Sequence, residues 1–202
     1  MTEQEFLKSY DSSKYPKPSY TADIAVFADF HENGRTVTRL LLIRRGGHPF
    51  KDCLAFPGGF VEQGESAEEA ASRELMEETG IQIEPLKMQQ FRTFSKPGRD
   101  PRGWTVSTAF IQFVDPEKVK AKAGDDAKEA AWFDVIIGRE SAGPDTYRVR
   151  LIHGDDKAYA VFRILPADGA IRTPRLEILE SSGLAFDHGD IASYAAAWLM
   201  RR

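Results

Sequence analysis

Glu74, Glu77 and Glu78 stand at i, i+3 and i+4 in a stretch, Ser66 to Gly80, that reads as a helix. At about 100° per residue their carboxylates fall within an arc of roughly 100° on one face. Like charges at this spacing oppose one another by a few tenths of a kcal/mol per pair, and their place in the C-terminal half of the helix sets them against the macrodipole. A bound cation removes both conflicts. Oxygen donors without Cys or His select a hard ion. Mg²⁺ suits best, because it accepts a few carboxylates and completes its octahedron with water and phosphate oxygens, and Mn²⁺ is the natural substitute. On spacing alone, the same glutamates also fit an ordinary solvated helix face.

The elements that must position them are legible in part. Ser66 and Glu69 form a capping box at the start of the helix, and Gly80 is placed for a left-handed residue at its end. Thr21 to Ala28 and Thr38 to Ile43, separated by Glu32, Asn33 and Gly34, predict a hairpin. Residues 44 to 60 read as a loop rich in glycine and arginine. Ile81 to Ile83, Gln89 to Phe94 and Val106 to Val114 read as strands, with a loop from Ser95 to Gly103. Ile191, Tyr194, Ala195, Trp198 and Leu199 recur at helical spacing and predict an amphipathic helix docked on the core. Glu3 to Tyr10 fits a short surface helix. Tyr147 to Ile152 and Ala158 to Leu165 flank a Gly154-Asp155-Asp156 turn and predict a second hairpin.

Strands and helices without regular βαβ alternation predict an α+β fold, an α/β/α sandwich around a mixed sheet. The 202 residues suit a single domain, 1–202, with a core at about 20–134 and 184–202 and an insertion at about 135–183 that carries the second hairpin before the C-terminal helix. A net charge of −4 gives no global field for nucleic acid, so any polyanion must be held locally. Cys53 is the single cysteine and cannot form a disulfide within the chain, which fits a reducing compartment. The four histidines, His31, His48, His153 and His188, lack the spacing of a zinc site. With neither the basic start and apolar stretch of a signal peptide nor a run of ~18 apolar residues, the expectation is a soluble, cytoplasmic protein with no membrane partner.

Residues 59 to 81, GFVEQGESAEEAASRELMEETGI, carry the strongest signal. Gly59, Glu65, Arg73, Glu74, Leu75, Glu77, Glu78, Gly80 and Ile81 match the Nudix box, Gly-x5-Glu-x7-Arg-Glu-U-x-Glu-Glu-x-Gly-U with U apolar, without a departure. At ordinary residue usage a chance match has a probability on the order of 10⁻⁸ per window. The resemblance to Nudix hydrolases implies a loop–helix–loop that binds a divalent metal and hydrolyses a nucleoside diphosphate linked to another moiety. It implies Glu74, Glu77 and Glu78 as metal ligands with the Gly59 carbonyl as a further one, and an ion pair between Glu65 and Arg73. For the extra ligand or water activator, a later carboxylate is expected: Asp126 first, then Glu129. A polar turn capping whatever carries Trp132 explains that stretch as well.

Residues 95–102, 41–45 and 184–188 resemble the ADP-ribose pyrophosphatase group, which implies hydrolysis of ADP-ribose to AMP and ribose 5-phosphate. Arg44, Arg45, Arg99 and Arg102 are candidate phosphate or ribose clamps, since guanidinium forks match phosphate oxygens. Phe50 or Phe56 could stack on adenine. On these grounds Arg99→Ala should raise KM more than it changes stability. A homodimer is expected. The rivals are a pyrophosphatase acting on nucleoside triphosphates, dinucleoside polyphosphates, NADH or nucleotide sugars, and a regulatory domain that senses ADP-ribose. For the last, residues 189–202 leave no room for the winged-helix module such regulators carry, and no basic recognition helix is visible.

Overall fold

The computed structural model describes residues 1–119, 127–166 and 174–202. Its scaffold is one mixed sheet. The strands are β1 (Ser19–Glu32), β2 (Arg35–Arg45), β3 (Leu54–Ala55), β4 (Gly58–Phe60), β5 (Gln89–Phe94), β6 (Thr105–Val114), β7 (Ala127–Arg139), β8 (Thr146–His153), β9 (Asp156–Leu165) and β10 (Arg175–Ser182). The main path runs β10-β9-β8-β7-β2-β1-β6-β5, and among the described strands only β1 and β6 pair in parallel. Among the described residues three α-helices accompany the sheet: α1 (Glu3–Ser9), α2 (Ala67–Thr79) and α3 (His188–Leu199). Among the described residues, no helix is long and apolar enough to cross a membrane.

Alternation along β1 assigns the layers. Ile24 and Val26 pack with Ala70, Ala71 and Leu75 of α2, whereas Ala25 and Phe27 join the cluster that contains Ile191, Ala192 and Ala195 of α3. Period-2 side chains on a strand therefore fill two cores, one beneath each helix. The α+β sandwich expected from the sequence is the observed architecture.

The first hairpin turns at Asn33 and Gly34, both with positive φ, as a tight two-residue connection requires. Its strands stay paired only from the turn back to Phe27 and Leu40. Beyond that point they splay, and Leu54–Phe60 fills the gap. Ala55 and Leu54 pair with Ile43 and Arg44 of β2, while Phe60, Gly59 and Gly58 pair with Thr21, Ala22 and Asp23 of β1. The expected loop at 44–60 thus ends in two short strands, because the open edges of the splayed hairpin supply their partners.

Ile81 to Ile83 corrects the sequence reading, since the segment forms no strand. Ile81 and Ile83 are buried beneath α2, and the Ile83 carbonyl accepts from Ser72 of that helix, so the segment's burial and hydrogen bonding are met without a neighbouring strand. The second hairpin appears as β8 and β9, and more than a hairpin is present. With β7 and β10 it continues the sheet past β2, and Val149, Leu151, Ala158, Ala160 and Phe162 form the surface on which α3 packs. The described residues 135–166 and 174–183 therefore supply much of the platform for the last helix.

Candidate active site

Helix α2 is held at both ends by the residues its sequence advertises. Ser66 Oγ accepts from the Glu69 amide at 3.2 Å, Glu69 returns the bond to the Ser66 amide at 2.8 Å, and Gly80 closes the helix at φ +71°. Ala70, Ala71 and Leu75 face the sheet, which fixes the rotation of the helix and carries Glu74 and Glu78 towards the gap between the splayed strands.

A cleft of ≈ 750 Å³ opens there. Thr21 and Asp23 of β1, Gly58 to Phe60, Glu74 and Glu78 line one part, and Arg45, the 99–102 loop, Phe186 and His188 line the rest. Glu78 Oε2 accepts from the Gly58 amide at 2.9 Å. Even so, burial, with Glu74 and Asp23 adding repulsion, pushes its carboxyl up to about 8. Glu74 is also raised, by burial first and then by Glu77 and Glu65, against the pull of Arg73. Its carboxylate lies directly over Gly59, where a Cβ would fall 2.3 Å from Oε1, so only glycine admits this approach. Asp23 is raised by burial against the opposing Ser107 hydroxyl.

Arg73 gathers the outer part of the helix face. Its Nε and Nη2 donate to Glu65 at 2.9 and 3.0 Å, Nη1 donates to Glu74 at 2.8 Å and to Glu77 at 3.2 Å, and Nη2 also reaches the Phe60 carbonyl. Glu65 and Arg73 thus tie the loop to the helix. Glu77 remains 59% exposed on Arg73 and does not line the cleft, unlike Glu74 and Glu78.

The other sequence candidates divide sharply. Arg45 lines the cleft, its Nε donating to the Pro49 carbonyl at 3.0 Å and its guanidinium 4.8 Å from the Phe186 ring centre; burial, and then the neighbouring Arg102, lower its pKa. Arg102 also lines the cleft, held by Asp100 at 2.8 Å between the rings of Phe60 and Phe186. Arg44 points away and pairs with Asp156 and Glu129. Glu129 is spent on that pair and does not line the cleft, and Asp126 lies outside the described residues. Phe50 packs on Phe186 with ring centres 4.8 Å apart and is absent from the cleft wall; Phe56 lines the wall as a buried core residue.

Arg99 lines the cleft with its guanidinium already paired. Its side chain is only 4% exposed, and its fork grips Asp187 through Nε at 2.8 Å and Nη2 at 2.7 Å. It ties the 95–103 loop to the start of α3. Leu54 reinforces that junction, its amide donating to the Gly183 carbonyl and its carbonyl accepting from the Ala185 amide. The described residues 135–166 and 174–183 do not line the cleft.

Glu78 and Glu74 repel one another in the cleft, with Arg73 paired to Glu74 and no direct ion pair for Glu78 among the described residues, and hard oxygen donors suit a divalent cation. Glu74 and Glu78 are the residues placed to hold one. Among the described residues no three His, Cys, Asp or Glu side chains form a ready ligand set. That is compatible with an ion that takes few protein ligands and fills its shell with water and phosphate oxygens.

The model of the NUDIX domain matches residues 20–145. The chain belongs to this family. An ADP-ribose pyrophosphatase of Methanocaldococcus jannaschii is 50% identical to this Nudix chain over 135 residues, which cover 65% of it and 73% of the relative. Among solved structures, a MutT/nudix family protein from Enterococcus faecalis superposes with a TM-score of 0.77 at 33% identity, covering 100% of this chain and 71% of its own. The NUDIX domain of Shewanella oneidensis NrtR, solved with ADP ribose, gives a TM-score of 0.57 at 26% identity, with 66% and 84% of the two chains covered. Nudix hydrolases generally use divalent metal ions, in keeping with the Glu74 and Glu78 carboxylates at the cleft.

Sequence reasoning missed Asp23, Asp187, Phe186 and His188 as parts of this site. Asp23 had a signal: it is an acid inside an apolar strand, where a buried charge needs a reason. Asp187 and His188 lay in the segment 184–188 that resembles the ADP-ribose pyrophosphatase group, but their partners, in the 95–103 loop and β1, lie across the fold.

Proposed function

We propose that this Nudix protein is a Mg²⁺-dependent pyrophosphohydrolase that cleaves ADP-ribose to AMP and ribose 5-phosphate. The observation that carries the reading is the polarity of one cleft, with half-buried Glu74 and buried Glu78 on one side and the half-buried Arg45 beside Arg102 on the other. A diphosphate is the group that needs both. The similarity to an archaeal ADP-ribose pyrophosphatase supports the choice of substrate.

Glu74 and Glu78 would hold the ion, which supplies charge neutralisation on the diphosphate and a water of lowered pKa. Arg45 and Arg102 orient the phosphate oxygens and take up charge as the anhydride opens. Water adds to one phosphorus, the bridging P–O bond breaks, and the bridging oxygen leaves with the other phosphate. The proton of the water passes to a carboxylate, for which Asp126 is the sequence candidate. Arg73 keeps Glu65 and the loop against the helix while this happens. The reading extends to a cytoplasmic homodimer.

The second reading is an ADP-ribose-binding regulatory domain, favoured by the likeness to the NrtR domain solved with that ligand. Incubating the protein with Mg²⁺ and a panel of nucleoside diphosphate derivatives, with products separated by chromatography, decides between them. AMP and ribose 5-phosphate from ADP-ribose are expected. Binding without turnover would select the regulator.

A further inference from the structure

Beside the carboxylates of α2, the cleft wall holds a second polar pair that the hydrolysis above does not use. Asp23 and His188 both line the cleft and are 6% and 4% exposed. They come from opposite ends of the chain, from β1 and the first turn of α3. His188 Nδ1 accepts from the Phe56 backbone amide at 2.9 Å, so that nitrogen carries no proton. The ring is therefore neutral, with its N–H on Nε2. Burial agrees, pushing the imidazole pKa down to about 3.

That Nε2–H lies 3.5 Å from Asp23 Oδ1. The separation is too long for a good direct hydrogen bond, yet one oxygen atom can touch both groups. The other carboxylate oxygen, Oδ2, accepts from Ser107, and Arg99 stands 3.8 Å from it with its fork already committed to Asp187. Asp23 Oδ1 is thus a carboxylate oxygen at the cleft wall without a hydrogen-bond donor, 3.5 Å from a fixed one. A hydroxyl is the group that answers both, since it gives its proton to one and takes a hydrogen bond from the other. A phosphate oxygen cannot, because it would meet the carboxylate with like charge.

We propose that Asp23 and His188 together read a sugar hydroxyl of the substrate and so select ribose over deoxyribose compounds. The assignment rests on the proposed nucleoside diphosphate chemistry and adds a specificity pair to it. Sites built to hydrogen-bond a hydroxyl discriminate strongly against analogues that lack it, because the buried partners are then left unmatched.

The test is ADP-ribose binding, measured by calorimetry without divalent metal. ADP-ribose is compared with analogues that lack the 2- or 3-hydroxyl of the adenosine ribose or of the terminal ribose. The wild type should lose about 10- to 100-fold in affinity for one of them, and that one identifies the hydroxyl and its ribose. Asp23→Asn keeps the side-chain volume, and His188→Asn keeps an acceptor for the Phe56 amide while removing the Nε2 donor. Each should lose a comparable factor on ADP-ribose and little more on the identified analogue. Equal affinity of the wild type for all analogues, a comparison that needs no variant, would overturn the assignment. So would variant and analogue losses that simply multiply. Binding with this pattern but without turnover in Mg²⁺ would defeat the hydrolase reading and leave the hydroxyl reader standing; absence of both metal-free binding and turnover in Mg²⁺ would defeat both.

Discussion

Glu78→Gln should stabilise the metal-free protein, and increasingly so as the pH rises above about 4.5. The folded-state carboxyl titrates at about 8, against an ordinary value of 4.5. A group whose pKa is raised by folding binds its proton more tightly in the folded state. Its destabilising effect is therefore absent below about pH 4.5, grows as the pH rises, and is complete above about pH 8. At ~1.4 kcal/mol per pH unit the gap amounts to roughly 5 kcal/mol, a large share of the 5–15 kcal/mol that holds an ordinary domain together. The glutamine is neutral at every pH and keeps an oxygen for the Gly58 amide. Urea unfolding in EDTA should give similar stabilities for the two proteins near pH 5 and a glutamine variant several kcal/mol more stable at pH 8.5. Excess Mg²⁺ should shrink the difference, because the ion stabilises the ionised wild-type carboxylate. A stability difference independent of pH would refute the idea that an uncompensated buried charge stands at the centre of the site.

Arg99→Ala should cost about 3–5 kcal/mol in thermal or chemical unfolding, since it leaves Asp187 and Asp23 as buried carboxylates without their guanidinium; a loss under 1 kcal/mol would return Arg99 to the role of a simple clamp. Gly59→Ala should reduce turnover by at least tenfold with a small change in stability, because the new Cβ displaces the Glu74 carboxylate from its seat. Unchanged kcat in that variant would remove Glu74 from the metal-holding pair.

How much of this was legible in the sequence depended on how local the determining contacts are. Helix α2 carries its caps within its own residues, Ser66, Glu69 and Gly80, and its apolar side at Ala70, Ala71 and Leu75, so its span and exposed acids could be read directly. Glu65 and Arg73 are eight residues apart and equally local. Strands β3 and β4 could not be found in the same way, because they exist only where β1 and β2 splay and offer open edges. Arg99 shows the same limit at the level of a side chain. An arginine in a loop with Gly98 and Pro101 looks like a phosphate clamp until its partner, Asp187, arrives from 88 residues away. Glu77 illustrates a finer limit, since its helical offset is close to those of Glu74 and Glu78, yet it rests on Arg73 at the surface.

The most direct measurement of the central claim is turnover of ADP-ribose by the wild type and by Glu78→Gln as Mg²⁺ is titrated from zero into excess, with AMP and ribose 5-phosphate quantified. The wild type should be inactive without the ion and saturate with it, while the folded variant stays orders of magnitude slower throughout. Hydrolysis that persists in EDTA, or a variant that matches the wild type in Mg²⁺, would contradict it.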